Sequence, residues 1–96
     1  MAADLYPYVL LCDWPYPLNK VMGPRELERH TAALDPRDGE SLNAVITAAA
    51  RRHRRRDLTL YRLNVYHPRT GVLVVDEYRY TAWLAEEYPP ASLQDL

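Results

Sequence analysis

The chain has no phenylalanine, one lysine, one cysteine and three glycines. Each shortage removes a class of protein. With Cys12 as its only cysteine it has no internal disulfide and no cysteine-rich zinc knuckle. The glycines, Gly23, Gly39 and Gly71, each fall where a cap or turn is expected, which leaves none for a glycine-rich phosphate loop. The three histidines, His30, His53 and His67, show none of the paired spacings that zinc sites use, so no metal and no small-molecule cofactor is expected. The longest apolar run, Tyr8 to Cys12, falls far short of the ~20 residues of a membrane-spanning helix. The start Met1-Ala2-Ala3-Asp4 carries neither the basic nor the apolar block of a secretion signal, so a cytoplasmic location is expected.

What remains is a globular composition: 96 residues, 48% apolar and 26% charged. That supports one modest core, read as a single α+β domain over residues 1–90 with a loose tail over 91–96. Net charge is −1, but the charge is segregated. Residues 25–56 hold eight bases and five acids, whereas residues 57–96 hold three bases and six acids. Arg51, Arg52, Arg54, Arg55 and Arg56 crowd together, interrupted only by His53. A cluster of one sign attracts phosphate or an acidic surface more than the net charge suggests. Eight tyrosines without a phenylalanine imply rings whose hydroxyls need partners or water, which suits sheet faces and interfaces.

The pattern along the chain predicts the order β-α-α-β-β. Tyr8–Asp13 has no polar alternation and reads as a central strand covered on both faces. Trp14-Pro15-Tyr16-Pro17 is irregular, with Trp14 and Tyr16 placed to cover an edge of the core. A first helix is signalled by Gly23 as N-cap, Pro24 at the first position, a Met22/Leu27 staple and the Leu27–Leu34 spacing. A second, over about residues 40–56, gathers Leu42, Val45, Ile46 and Ala49 on one face, with His53 continuing it. Leu58–His67 and Val72–Thr81 form a hairpin around Pro68-Arg69-Thr70-Gly71, with a left-handed residue late in the turn. Pairing His67 with Val72 sets Arg62 opposite Glu77 but drives Asp76 onto the apolar side, a conflict that a bulge near Asp76-Glu77 relieves. Trp83, Leu84 and Tyr88 allow one short helical turn before Pro89-Pro90. The expected fold is thus a small antiparallel sheet of about three strands with two helices packed on one face.

Several chemistries compete for this frame. Two helices followed by a hairpin resemble a winged helix–turn–helix domain, which would put Ala44, Thr47 and Ala48 against DNA and the arginines on phosphates. The same order of elements resembles the RelE/ParE toxin family, which cleaves messenger RNA with Arg, Tyr, Lys or His side chains on its sheet. Arg62, Tyr66, His67, Tyr78 and Arg79 are the matching kinds of residue here. Cys12 with His30 or His53 is a third pairing, but a lone cysteine in an apolar strand reads as a small buried hydrophobe. The leading reading is a non-enzymatic interaction protein that docks on a larger protein or nucleoprotein, such as an inhibitor from a phage or mobile element acting on host nucleic-acid machinery. Its expected contacts are Arg51, Arg52, Arg54, Arg55 and Arg56 at the helix end, with Tyr66 and Arg69 on the hairpin. In that reading the acids Asp76, Glu77, Glu86 and Glu87 occupy a site built for nucleic acid. DNA or RNA bound directly is the alternative partner.

Overall fold

A computed structural model describes residues 4–14, 17–53 and 60–82. Four strands form one antiparallel sheet: β1 (Leu5–Cys12), β2 (Arg25–Ala33), β3 (Leu60–Tyr66) and β4 (Leu73–Thr81), in the spatial order β2-β1-β3-β4. A single α-helix, α1 (Gly39–Arg52), connects β2 to β3, and a 3₁₀ turn spans Leu18–Lys20. The expected three strands with two helices are therefore wrong: the segment read as a first helix is strand β2. The order that resembled winged helix–turn–helix and RelE/ParE domains is absent with it. The proposed helical turn at Trp83–Tyr88 and the tail 91–96 lie outside the described residues.

The reason is visible in what each conformation would satisfy. As a helix, residues 24–34 would offer only Leu27, Thr31 and Leu34 as a stripe, and an isolated helix that short is marginal in water. As a strand, the segment pairs along β1 from Leu5↔Ala33 to Cys12↔Arg25 and satisfies one whole edge of its backbone. The polar alternation of Arg25-Glu26-Leu27-Glu28-Arg29-His30 hides this, because period-2 reading looks for apolar residues. Leu34, just past the strand, is buried, and its N–H donates to the Asp4 carbonyl at 3.1 Å.

β1 is central, as expected, between β2 and β3. It is not covered on both faces, however. Tyr8, Leu10 and Cys12 are buried, whereas Val9 and Leu11 between them are half-buried. The buried side meets Tyr61, Leu63 and Val65 of β3 and Leu42, Val45, Ile46, Ala49 and Ala50 of α1 in one core. Burying the equivalent of a Leu side chain is worth about 1.5–3 kcal/mol, so this layer dominates stability. Asp38 caps α1 by accepting from the Glu40 N–H at 3.1 Å. α1, the one α-helix of the described residues, packs on this buried side.

The hairpin forms where it was read, and its register explains the Asp76 conflict. Gly71 takes the left-handed conformation, φ 72°, and donates to the His67 carbonyl at 2.9 Å. Pairing starts at Tyr66↔Leu73 but reaches Val65↔Val75 and Leu63↔Tyr78, so two irregularities displace β4 by two residues. The second lies at Asp76-Glu77, where Glu77 has φ 49° and the Asn64 Oδ1 accepts its N–H at 2.7 Å. Asp76 is thereby exposed, and Arg62 faces Arg79 rather than Glu77 in the ladder. A left-handed L-residue costs ~1–2 kcal/mol. Glu77→Gly should consequently leave the urea midpoint unchanged or raise it, while Glu77→Val lowers stability by about 1–2 kcal/mol; equal melting of the two variants would contradict the assigned bulge.

Candidate functional site

The arginine run is described only in part. Arg54, Arg55 and Arg56 lie outside the described residues. Arg51 and Arg52 end α1, and His53 is its C-cap. Arg52 Nη2 lies 2.6 Å from Glu28 Oε2, and His53 Nε2 lies 3.0 Å from Glu28 Oε1. The Tyr8 hydroxyl also donates to Glu28 Oε2 and accepts from Arg52 Nη2 at 3.1 Å. Arg52 is thus committed inside the molecule, and Arg51 has an interaction of its own. The expected contact through the helix end loses its described members to the protein's own structure.

This clasp joins β1, β2 and the end of α1. The Glu28 side chain is only 9% exposed. Burial opposes its ionisation, but the hydrogen bonds from Tyr8, Arg52 and His53, together with the Arg52 charge, hold its carboxyl below the usual range. Burial, the hydrogen bond to Glu28 and the Glu28 charge push the Tyr8 phenol up to about 12, against the pull of Arg52. The hydrogen bond to Glu28 raises the Arg52 guanidinium in turn. Glu28 was missed in the sequence because it sat in a presumed helix; alternation of Glu28, His30 and Ala32 opposite Leu10, Tyr8 and Tyr6 was the available signal.

A second arrangement lies beside the clasp, sharing Tyr8 with it and adjoining Glu28 through Arg29, and opens on the other face of the sheet. β1 at Pro7–Val9, β2 at Arg29–Thr31 and the turn Tyr66–Gly71 enclose a cleft of about 850 Å³. Its ionisable lining residues are Arg29, His30, His67 and Arg69 with Tyr8 and Tyr66, and none is Asp or Glu. Strand alternation assigns Tyr8 and His30 to the helix side, so Arg29, Tyr66, His67 and Arg69 are the groups offered outward. The two expected hairpin contacts, Tyr66 and Arg69, therefore belong to one site. Arg29 and Thr31 enter it only because β2 is a strand.

Hydrogen bonds brace the turn that walls the cleft. His67 Nδ1 accepts the N–H groups of Arg69 at 3.1 Å and Thr70 at 3.2 Å, which leaves Nε2 for a ligand. Arg29 is 71% exposed in its side chain and hydrogen-bonds Glu26 at 2.7 Å. That bond, chiefly, raises its pKa, with a lesser electrostatic contribution from Tyr66 across β1. An exposed pair of this kind contributes ~0–1 kcal/mol and yields readily to another anion. Further along the same face the arginines are neutralised internally: Arg62 lies 3.5 Å from Asp13 and 3.9 Å from Glu77, and Arg79 lies 3.8 Å from Glu77.

Other expected constellations come apart. Tyr78 turns to the helix side, where it donates to Asn43 Oδ1 at 2.6 Å, while Arg62, Tyr66 and Arg79 face outward, so the hairpin residues matched to RelE/ParE do not share a face. Cys12 is fully buried, and His30 pairs with Tyr8, four residues back along β1. His53 is bound to Glu28 at the end of α1. Trp14 lies under the Arg25 guanidinium, 4.6 Å from its ring centroid, whereas Tyr16 lies outside the described residues. Among the described residues no three of His, Cys, Asp and Glu gather as metal ligands, and no helix is long and apolar enough to cross a membrane. No family model, curated protein or solved structure matches the chain.

The clasp makes stability depend on pH in two windows. Glu28 has a depressed folded pKa, so its contribution is present above the unfolded carboxylate value, roughly 4, and is lost as pH falls through the folded one. Tyr8 has a raised folded pKa, so its contribution is full below about 10, the unfolded value, and is lost as pH climbs toward about 12. Thermal melts of Glu28→Gln should show a shallower acid decline than the native protein, and those of Tyr8→Phe a shallower alkaline one. Parallel profiles in all three would refute the clasp.

Proposed function

We propose that the protein is a non-enzymatic docking module that holds an anionic group of a larger macromolecule in the cleft between β2 and the β3–β4 turn. The observation that supports this is the lining: two guanidiniums, the His67 imidazole and the Tyr66 phenol face outward around the cleft, and none of the lining residues is Asp or Glu. Elsewhere on that face Arg62 and Arg79 have carboxylate partners within 4 Å, and at the cleft Arg29 is paired with the exposed Glu26, a contact that an incoming anion can replace. Two guanidiniums gathered at a concave, turn-braced site with no acidic lining residue favour a ligand of the opposite sign. Cationic steering would also orient the encounter. This reading puts the docking surface on the hairpin side and keeps Tyr66 and Arg69 of the expected contacts.

Retention on an immobilised sulfated polysaccharide tests the reading. Arg69→Glu and Arg37→Glu change net charge identically, but only Arg69 lines the cleft. The native protein should be retained at low salt, Arg69→Glu should elute at clearly lower salt, and Arg37→Glu should elute close to the native position. Equal shifts for the two variants, or no retention of the native protein, would overturn it.

A further inference from the structure

Resting on that docking reading, we infer that the occupant of the cleft is a single-stranded nucleic acid, with a base stacked on Tyr66 and the adjoining phosphates held by Arg29, His67 and Arg69. A carboxylate-bearing protein would need only the cations; the cleft supplies a half-buried phenol ring beside them on a sheet face that no α-helix of the described residues covers. β2 and β3 flank β1, so the backbones carrying Arg29 and Tyr66 stand roughly 10 Å apart at ~4.8 Å per strand spacing. That separation admits one base against the ring while its phosphate reaches the guanidinium. Aromatic rings on a sheet bind any base through its π-face, and the surrounding cations follow the backbone. A duplex is disfavoured because its bases are already stacked, and because among the described residues no helix stands on this face to enter a groove. The volume, about 850 Å³, lies within the ~300–1,000 Å³ of small-ligand sites, the scale of a nucleotide rather than of a folded partner's surface. Thr31, also in the lining, adds a hydroxyl able to bond a sugar or phosphate oxygen.

Fluorescence anisotropy with a labelled 12-mer of uridylate separates the possibilities, using polyphosphate and polyglutamate as base-free competitors. The native protein should bind the oligonucleotide, and Tyr66→Ala should weaken it by about fivefold or more while Tyr66→Phe preserves it. Displacement by polyphosphate should require equal or higher competitor in native protein than in Tyr66→Ala, since polyphosphate gains nothing from the ring. Polyglutamate should compete least. If Tyr66→Ala binds the 12-mer as tightly as the native protein, or polyglutamate competes as well as polyphosphate, the nucleic-acid assignment is overturned while anion docking survives. If no polyanion binds and Arg29→Glu and Arg69→Glu change nothing, both fall. Circular dichroism melts of each variant establish that folding is retained.

Discussion

A nearly buried carboxylate has to be paired, and Glu28 satisfies that demand by tying three elements together. Its oxygens take hydrogen bonds from Tyr8 on β1, Arg52 on α1 and His53 beyond it. An unpaired charge at that position would cost several kcal/mol, so the helix end, the edge strand and the central strand are fixed as a unit. The same contact consumes the charge of Arg52, which decides where a binding surface can lie. Only because β2 is a strand does Glu28 reach below the helix end while Arg29, its neighbour, points to the other face. One strand assignment therefore governs both the clasp and the cleft.

Much of this arrangement was legible in the residues. The apolar face of α1, its Asp38–Gly39 start, the central position of β1 and the hairpin with a left-handed Gly71 follow from periodicity and turn chemistry. So does the relief of Asp76 by a bulge, since a carboxylate on the apolar side of a ladder forces the chain to slip. The edge strand was not legible. Its residues, Arg25-Glu26-Leu27-Glu28-Arg29-His30-Thr31-Ala32-Ala33, are mostly good helix formers, and Gly23-Pro24 mimics a helix start. Its strand character is conferred from outside, by the unpaired edge of β1, and a local reading has no access to that edge.

The site was half legible for the same reason. Tyr66 and Arg69 were identifiable as partner-type residues on a hairpin, because a tight turn projects them whatever lies alongside. Arg29 and Thr31 were not, since a helix would have carried them elsewhere. The arginine cluster shows a limit of counting charges along the chain, which does not reveal which carboxylates folding will bring to them; Arg54, Arg55 and Arg56 lie outside the described residues. Here a distant glutamate, 24 residues before Arg52, had already claimed one. The quieter combination, two arginines and His67 drawn from separate segments around a cleft with no acid in its lining, emerges only from the sheet order.

The decisive property of the molecule is which surface receives a ligand. The most direct measurement is a backbone amide NMR titration of the native protein with a short single-stranded oligonucleotide. Perturbations should concentrate at Arg29–Thr31 and Tyr66–Gly71, on both sides of β1, with Arg51, Arg52 and His53 little changed. Shifts confined to the end of α1, with the cleft silent, would contradict docking in the cleft.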